Sequence, residues 1–385
     1  MDTVSVPPTH RPDGAWRPEG ADRIALVLQG GGALGAYQAG VYQALHEAGL
    51  EPDWLAGVSI GGINSAIIAG NRPEHRLERL REFWETITAR HVWFYTPDGD
   101  DPRKARNSWS SLLTLMQGQP GFFTPNTPNP WLSPRGAKTA TSFYDNAPLR
   151  ETLLRLVDFD LLNSKTTRYA CGAVNVANGN FSYFDSTQTV IEPEHIMASG
   201  ALPPALPMVR IGTDYFWDGG LVSNTPLQWL LENAGPVGMI VFQVDLFSAQ
   251  GALPRDMYDV LARQKDIQYS SRTRLVTDYF RHQQHTNTLL KRVLDKLPET
   301  ELDDEMREAR QRLAAMPEIN ILHLIYQQLA YEGQAKDYEF SGTSMREHWD
   351  AGYRDTQRTL SHKDWLRVVH NDGGVVVHDV HHSEP

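Results

Sequence analysis

The chain has 385 residues, enough for one large domain or two modest ones, and its 41% hydrophobic and 22% charged residues match an ordinary globular protein. A formal net charge of −11 excludes generic nucleic-acid binding, which draws its affinity from a basic face, and gives no whole-molecule attraction to anionic lipid. The single Cys171 excludes an intramolecular disulfide, and no run approaches the roughly 20 apolar residues of a spanning helix, so a cytoplasmic protein is expected.

Residues 1–21 are polar and proline-bearing, with no apolar signal region, and read as a flexible arm. The run Ile24-Ala25-Leu26-Val27-Leu28 suits a parallel strand buried on both faces. It leads directly into Gln29-Gly30-Gly31-Gly32-Ala33-Leu34-Gly35, and a helix over 36–48 follows, with Gly49 at its end. This loop has two chemical readings beside that of a plain tight turn. Gly30-x-Gly32-x-x-Gly35 matches a dinucleotide loop, with Asp53 as the acidic residue downstream. Alternatively, its bare N–H groups form an oxyanion hole.

The next element shifts the balance to the second reading. An apolar run enters Gly57-Val58-Ser59-Ile60-Gly61, and a small-residue helix leaves it over 60–69. This is the strand-to-helix elbow that lifts a serine hydroxyl clear of a sheet. A dinucleotide unit would carry no nucleophile there.

A charged helix over 74–90 follows. Residues 96–146, dense in Pro, Gly, Asn and Ser with Phe122, Phe123 and Trp131 among them, read as an insertion: a lid or lipid-contacting flap, or a loop pinned by its own aromatics. Then come a helix over 148–156, a hairpin over 168–176 and 180–184 turning at Asn178-Gly179, and a short helix over 196–201. A second hairpin over 207–211 and 215–217 delivers Asp218-Gly219-Gly220. Residues 238–246 read as a buried strand, 257–297 and 301–315 as polar helices, 319–326 as a strand and 344–360 as a helix. The His- and acid-rich tail after 370 is expected to fray. Cys171, in an apolar run, reads as a buried structural thiol.

A serine hydroxyl is nearly unreactive without a base and an oxyanion site. His195, His323 and His362 are possible bases by spacing but have no distinctive setting, whereas Asp218 stands at a strand end before two glycines that permit a sharp turn.

In this order, the glycine loop Gly30 to Gly35, the elbow Gly57 to Gly61 and Asp218-Gly219-Gly220 resemble the patatin-like phospholipase family, as does Ala198-Ser199-Gly200-Ala201-Leu202-Pro203 between the last two. The resemblance covers roughly residues 22–247. It implies a three-layer α/β fold with a central, mostly parallel sheet flanked by helices. It also implies an acyl hydrolase in which Ser59 is the nucleophile, Asp218 the general base, and the N–H groups of Gly31, Gly32 and Ala33 the oxyanion hole. No cofactor, metal or histidine is implied. The implied partner is a lipid or acyl-ester substrate, with transient membrane-surface contact and a homo-oligomer both compatible, and a location in the cytoplasm or at a membrane or polyester inclusion.

One departure is Leu34, where many members carry Arg or Lys; it favours a neutral acyl ester or thioester over strictly anionic phospholipid. Residues 248–370 resemble a mainly helical C-terminal extension of bacterial members, with 371–385 as a flexible tail. An acyltransferase or a storage-polyester (polyhydroxyalkanoate) esterase with the same dyad, and a non-catalytic lipid- or protein-binding scaffold, remain as alternatives.

Overall fold

Alternation within the apolar runs decides the layering. In the strand β1 (Arg23–Leu28), Ile24, Leu26 and Leu28 belong to one hydrophobic cluster and Ala25 and Val27 to another, so both faces of the strand are covered. The same split holds in β2 (Trp54–Val58), where Leu55 faces one way and Trp54 and Ala56 the other. The computed structural model describes residues 9–10, 16–89, 98–235, 237–270, 273–314, 318–368 and 374–379.

Helices α1 (Ala36–Glu47), α2 (Ile60–Ala69) and α3 (Pro73–Ile87) follow the first two strands. An 18-residue helix, α4 (Asp100–Gln117), occupies much of the stretch read from sequence as an irregular insertion. After α5 (Ala147–Leu156) and α6 (Phe159–Asn163) come the hairpin β3 (Arg168–Asn175) and β4 (Phe181–Asp185), then α7 (Pro193–Ser199). A second hairpin, β5 (Val209–Ile211) and β6 (Asp214–Asp218), precedes α8 (Leu227–Glu232) and β7 (Met239–Asp245). The remainder holds α9 (Met257–Tyr269), α10 (Thr273–Leu294), α11 (Asp304–Ala314), β8 (Glu318–Ile325), α12 (Gly342–Ser361) and β9 (Gly374–Asp379).

The nine strands form one sheet in the order β9-β8-β7-β1-β2-β3-β6-β5, with β4 on the other edge of β3. The pairs from β9 through β3 are parallel, and those of β3 with β4 and β6, and of β6 with β5, are antiparallel. The fold is therefore α/β with a mostly parallel sheet between helical layers. Residues of α1, α2, α3, α5 and α7 pack in the larger cluster, and α8 in the smaller one with Val276 and Phe280 of α10 against it.

The C-terminal third is not only helical. Its strand β8 runs beside β7, and β9 lies within the stretch expected to fray, extending the sheet beyond β8; residues 371–373 and 380–385 lie outside the described residues. Helix α12 packs on α1, where the Trp349 indole N–H donates to Gln43 Oε1 at 2.6 Å and the Tyr37 hydroxyl donates to Asp355 Oδ2 at 2.9 Å.

Candidate active site

Strand register brings the elbow serine and the aspartate together. β2 ends at Val58, opposite Gly172 of β3. β6 runs the other way along the same edge and ends at Asp218, opposite the next residue, Ala173. Ser59 and Asp218 therefore stand at two strand ends that meet head to head. Gly219 follows so closely that a Cβ there would lie 2.6 Å from the Gly172 carbonyl oxygen and 3.0 Å from Val58 Cγ1.

Ser59 has φ 55° and ψ −126°, a left-handed conformation that among the described non-glycine residues only Lys165 shares in the sign of φ. Such strain persists only where the surroundings impose it. Here they do so by close approach: a Cβ on Gly57 would lie 2.3 Å from Gly61 backbone atoms, and one on Gly61 2.2 Å from the Leu28 carbonyl oxygen. The Ser59 N–H donates to Ser199 Oγ at 3.0 Å, which assigns work to the Ala198-Ser199 stretch that the sequence shows but does not explain.

Asp218 is 2% exposed. Its Oδ1 accepts the Gly220 N–H at 2.7 Å, and the Ser59 side chain stands beside its carboxylate. Burial pushes the carboxyl from 3.8 up to about 7, against the opposing pull of Ser59 and of the Gly220 N–H. A carboxylate poised near neutrality is a competent proton acceptor at neutral pH.

The glycine loop is held from both sides. The Gly30 N–H donates to the Asn224 carbonyl at 3.2 Å, and Asn224 Nδ2 donates back to the Gly30 carbonyl at 3.0 Å and to the Tyr269 carbonyl at 3.0 Å. The buried Gln29 ties the loop base to its neighbours: its Oε1 accepts the N–H groups of Leu246 and Phe247 at 2.6 and 3.0 Å, and its Nε2 donates to Thr225 Oγ1 at 3.0 Å. Gly32 has φ +56°, and the 3-10 turn Gly32–Gly35 leads into α1.

Gly30, Gly31, Gly32, Ser59, Asp218 and Gly220 line one cavity of about 270 Å³. Ala33, grouped with Gly31 and Gly32 from sequence, is buried and is not among the lining residues; Gly35, Gly57 and Gly61 lie in the packing behind. The far walls are apolar. Phe122 and Phe123 from the insertion pack edge to face on Phe340, with ring centroids 5.9 and 6.4 Å apart, while Trp131 is 86% exposed. Leu115, Phe143 and Leu206 complete that side, and Tyr269, Asp337, Tyr338 and Phe340 enter from the C-terminal third.

Among the described residues, no histidine lines the cavity. His195 accepts the Glu192 N–H at 2.9 Å and caps α7, His323 Nε2 meets Asp245 Oδ2 at 2.6 Å, and His362 stacks on Trp365. Cys171 is buried, and burial pushes its thiol up to about 12. Asp53 pairs with Arg17 and accepts the Ile24 N–H at 2.9 Å, so it is engaged in the fold beside β1. Leu34 is fully buried in the larger core cluster. Among the described residues, no group of three or more His, Cys, Asp or Glu is arranged to hold a metal ion, and no helix is long and apolar enough to cross a membrane.

Residues 26–231 match the family model described as patatin-like phospholipase, and residues 267–372 match one described as patatin phospholipase. The chain is similar to patatin-like phospholipase domain-containing protein 6 of Mus musculus, at 45% identity over 67 residues, covering 17% of this chain and 5% of that protein. It is similar to lysophospholipase nte1 of Aspergillus terreus at 52% identity over 46 residues, covering 12% of this chain and 3% of that one. The chain thus spans only a few per cent of the length of these curated relatives. Among solved structures it is similar to VipD from Legionella pneumophila, at 13% identity and a TM-score of 0.41, over 94% of this chain and 72% of the other.

Proposed function

Since this chain belongs to the patatin-like phospholipase family, we propose that it is a serine hydrolase that cleaves carboxylic esters of lipids through a Ser59–Asp218 dyad and an acyl-enzyme. The observation that carries the proposal is the buried Asp218 carboxylate beside a serine on a strained elbow, at the polar end of an apolar cavity.

Asp218 takes the Ser59 proton as Oγ attacks the ester carbonyl. The carbonyl oxygen, now negative, is received by N–H groups of the glycine loop, with Gly31 and Gly32 at the cavity and Ala33 next in line. Asp218 returns the proton to the leaving alcohol. Water then repeats the sequence on the acyl-enzyme, releasing the acid and restoring Ser59. The acyl chain lies among Phe122, Phe123, Phe143 and Phe340; about 270 Å³ is near the low end for ligand sites, which suits one acyl chain rather than a bulky head group. With Leu34 buried, the glycine loop offers no cation of its own, which supports neutral esters as substrates.

A panel of p-nitrophenyl esters from short to long chain tests the reaction class. Metal-independent turnover with an optimum at intermediate chain length is expected. An inert native protein, on the panel and on phospholipid vesicles alike, would remove the hydrolase reading and bring forward the scaffold or a dedicated acyl acceptor.

Contact with a lipid surface is supported by α4. Trp109, Leu112, Leu115 and Met116 lie on one helical face, are 43–67% exposed, and meet the cavity at Leu115. Trp109→Glu with Met116→Glu is expected to weaken sedimentation with phosphatidylcholine vesicles by about 100-fold or more, since each of the two buried apolar side chains contributes ~1.5–3 kcal/mol. Turnover of a short soluble ester should stay native. Unchanged vesicle binding would contradict this role for α4.

A further inference from the structure

A second carboxylate backs the glycine loop. Asp337 lies in the 3-10 turn Lys336–Tyr338, and its carbonyl oxygen is 2.3 Å from where a Cβ on Gly32 would stand, with its own Cβ 3.6 Å from that point. It lines the same cavity as Gly31, Gly32, Ser59 and Asp218. The cavity-lining phenols of Tyr269 and Tyr338 are both raised, first by burial and then in part by the charges of Asp218 and Asp337, so the two carboxylates act on one space.

Burial pushes the Asp337 carboxyl above its ordinary range and Lys265 pulls it back toward the ionised form, and an ionised carboxylate beside this loop opposes the reaction unless it is paired. The tetrahedral intermediate places negative charge at the same N–H groups, and like charges repel strongly where water is excluded. Asp337 is, however, paired. Lys265, from α9, has its Nζ 2.5 Å from Asp337 Oδ1, donates to the Gln334 carbonyl at 3.2 Å, and lies 4.5 Å above the centre of the Tyr338 ring. The adjacent Lys336 is engaged elsewhere, donating to Asp266 Oδ1 at 2.6 Å and Gln328 Oε1 at 2.8 Å. Leu34 brings no charge to the loop, so the cation in contact with Asp337 arrives from a helix more than 200 positions downstream.

We infer, resting on the acyl-hydrolase reading above, that Lys265 is a positioning residue for the reaction: by neutralising Asp337 against Gly32, it lets the glycine loop accept the charge of the oxyanion. The C-terminal third thereby sets the electrostatics of a site whose nucleophile and base lie in the first 218 residues.

The test is a double-mutant cycle on a short ester. Lys265→Met is expected to lower kcat by about 30-fold at alkaline pH with KM little changed, because an unscreened charge then faces the transition state, and by less at lower pH, where burial lets the unpaired Asp337 take up a proton. Against the Asp337→Asn background, adding Lys265→Met should change kcat by less than about 3-fold, because the charge to be screened is gone. A Lys265 that only pins the turn mechanically gives a double variant as slow as Lys265→Met, and this would overturn the inference. So would a native rate in Lys265→Met at alkaline pH. Should Lys265→Met fail to fold, Asp337→Asn and the double variant still decide the matter. The rate of Ser59 modification by a fluorophosphonate supplies the same ratios without ester turnover. A native chain that neither turns over nor is modified speaks against the hydrolase reading itself, whereas wrong ratios in an active chain speak against Lys265 alone.

Discussion

Asp218→Asn is expected to lower kcat by about 10⁴-fold or more, the scale of removing the general base from a serine hydrolase, while leaving the protein folded and more stable than the native chain at alkaline pH. Both effects have one cause. Burial holds the carboxyl at about 7 in the folded protein, against 3.8 when unburied. Between those values the folded state keeps a proton that the unfolded chain gives up. The stability gained from that proton is full below pH ~4 and is lost as pH rises through ~7. Above pH 7 the buried charge therefore costs about 2–4 kcal/mol, which a neutral asparagine avoids; thermal melting at pH 8 should show Asp218→Asn higher by about 3–8 °C. Catalysis has the opposite slope. The base works only when deprotonated, so native kcat/KM should rise with pH around a midpoint near 7. A flat profile between pH 5 and 8 would assign the base to another group.

The second large effect is expected at Gly32. Its φ of +56° strains any side chain, and a Cβ would lie 2.3 Å from the Asp337 carbonyl oxygen, a backbone atom that cannot swing aside. Gly32→Ala must shift the loop, and misplacing one oxyanion donor costs about 10²–10³ in kcat. The loss should fall mainly on kcat, with a lowered melting temperature, and Asp218 should titrate as in the native chain. An alanine variant with native kcat would mean that the loop does not receive the oxyanion.

The groups proposed to react were legible in the sequence because the chemistry proposed for them fixes their spacing. The elbow needs glycines on both sides of Ser59, and the packing of Gly57 and Gly61 against neighbouring backbone shows why. The continuous apolar run Ile24 to Leu28 likewise identified a doubly buried strand. The cavity walls were not legible, since Leu115, Phe143, Tyr269 and Phe340 come from distant segments joined only by the fold. Helix α4 was hidden because its apolar face is exposed and its flanks are rich in Pro and Gly, which together resemble a loop. β9 was missed although Val375-Val376-Val377 carries strand propensity, because the surrounding His and Asp residues suggested a solvated end. The Lys265–Asp337 pair has no local signature, because its meaning depends on Gly32.

The central claim is that Ser59 is the nucleophile. It is tested most directly by treating the native chain with an active-site-directed fluorophosphonate and locating the adduct by peptide mass spectrometry. One adduct per chain, on Ser59, absent from Ser59→Ala and slowed as pH falls below about 7, is the predicted result. An adduct on another residue, or equal ester turnover by Ser59→Ala, would contradict it.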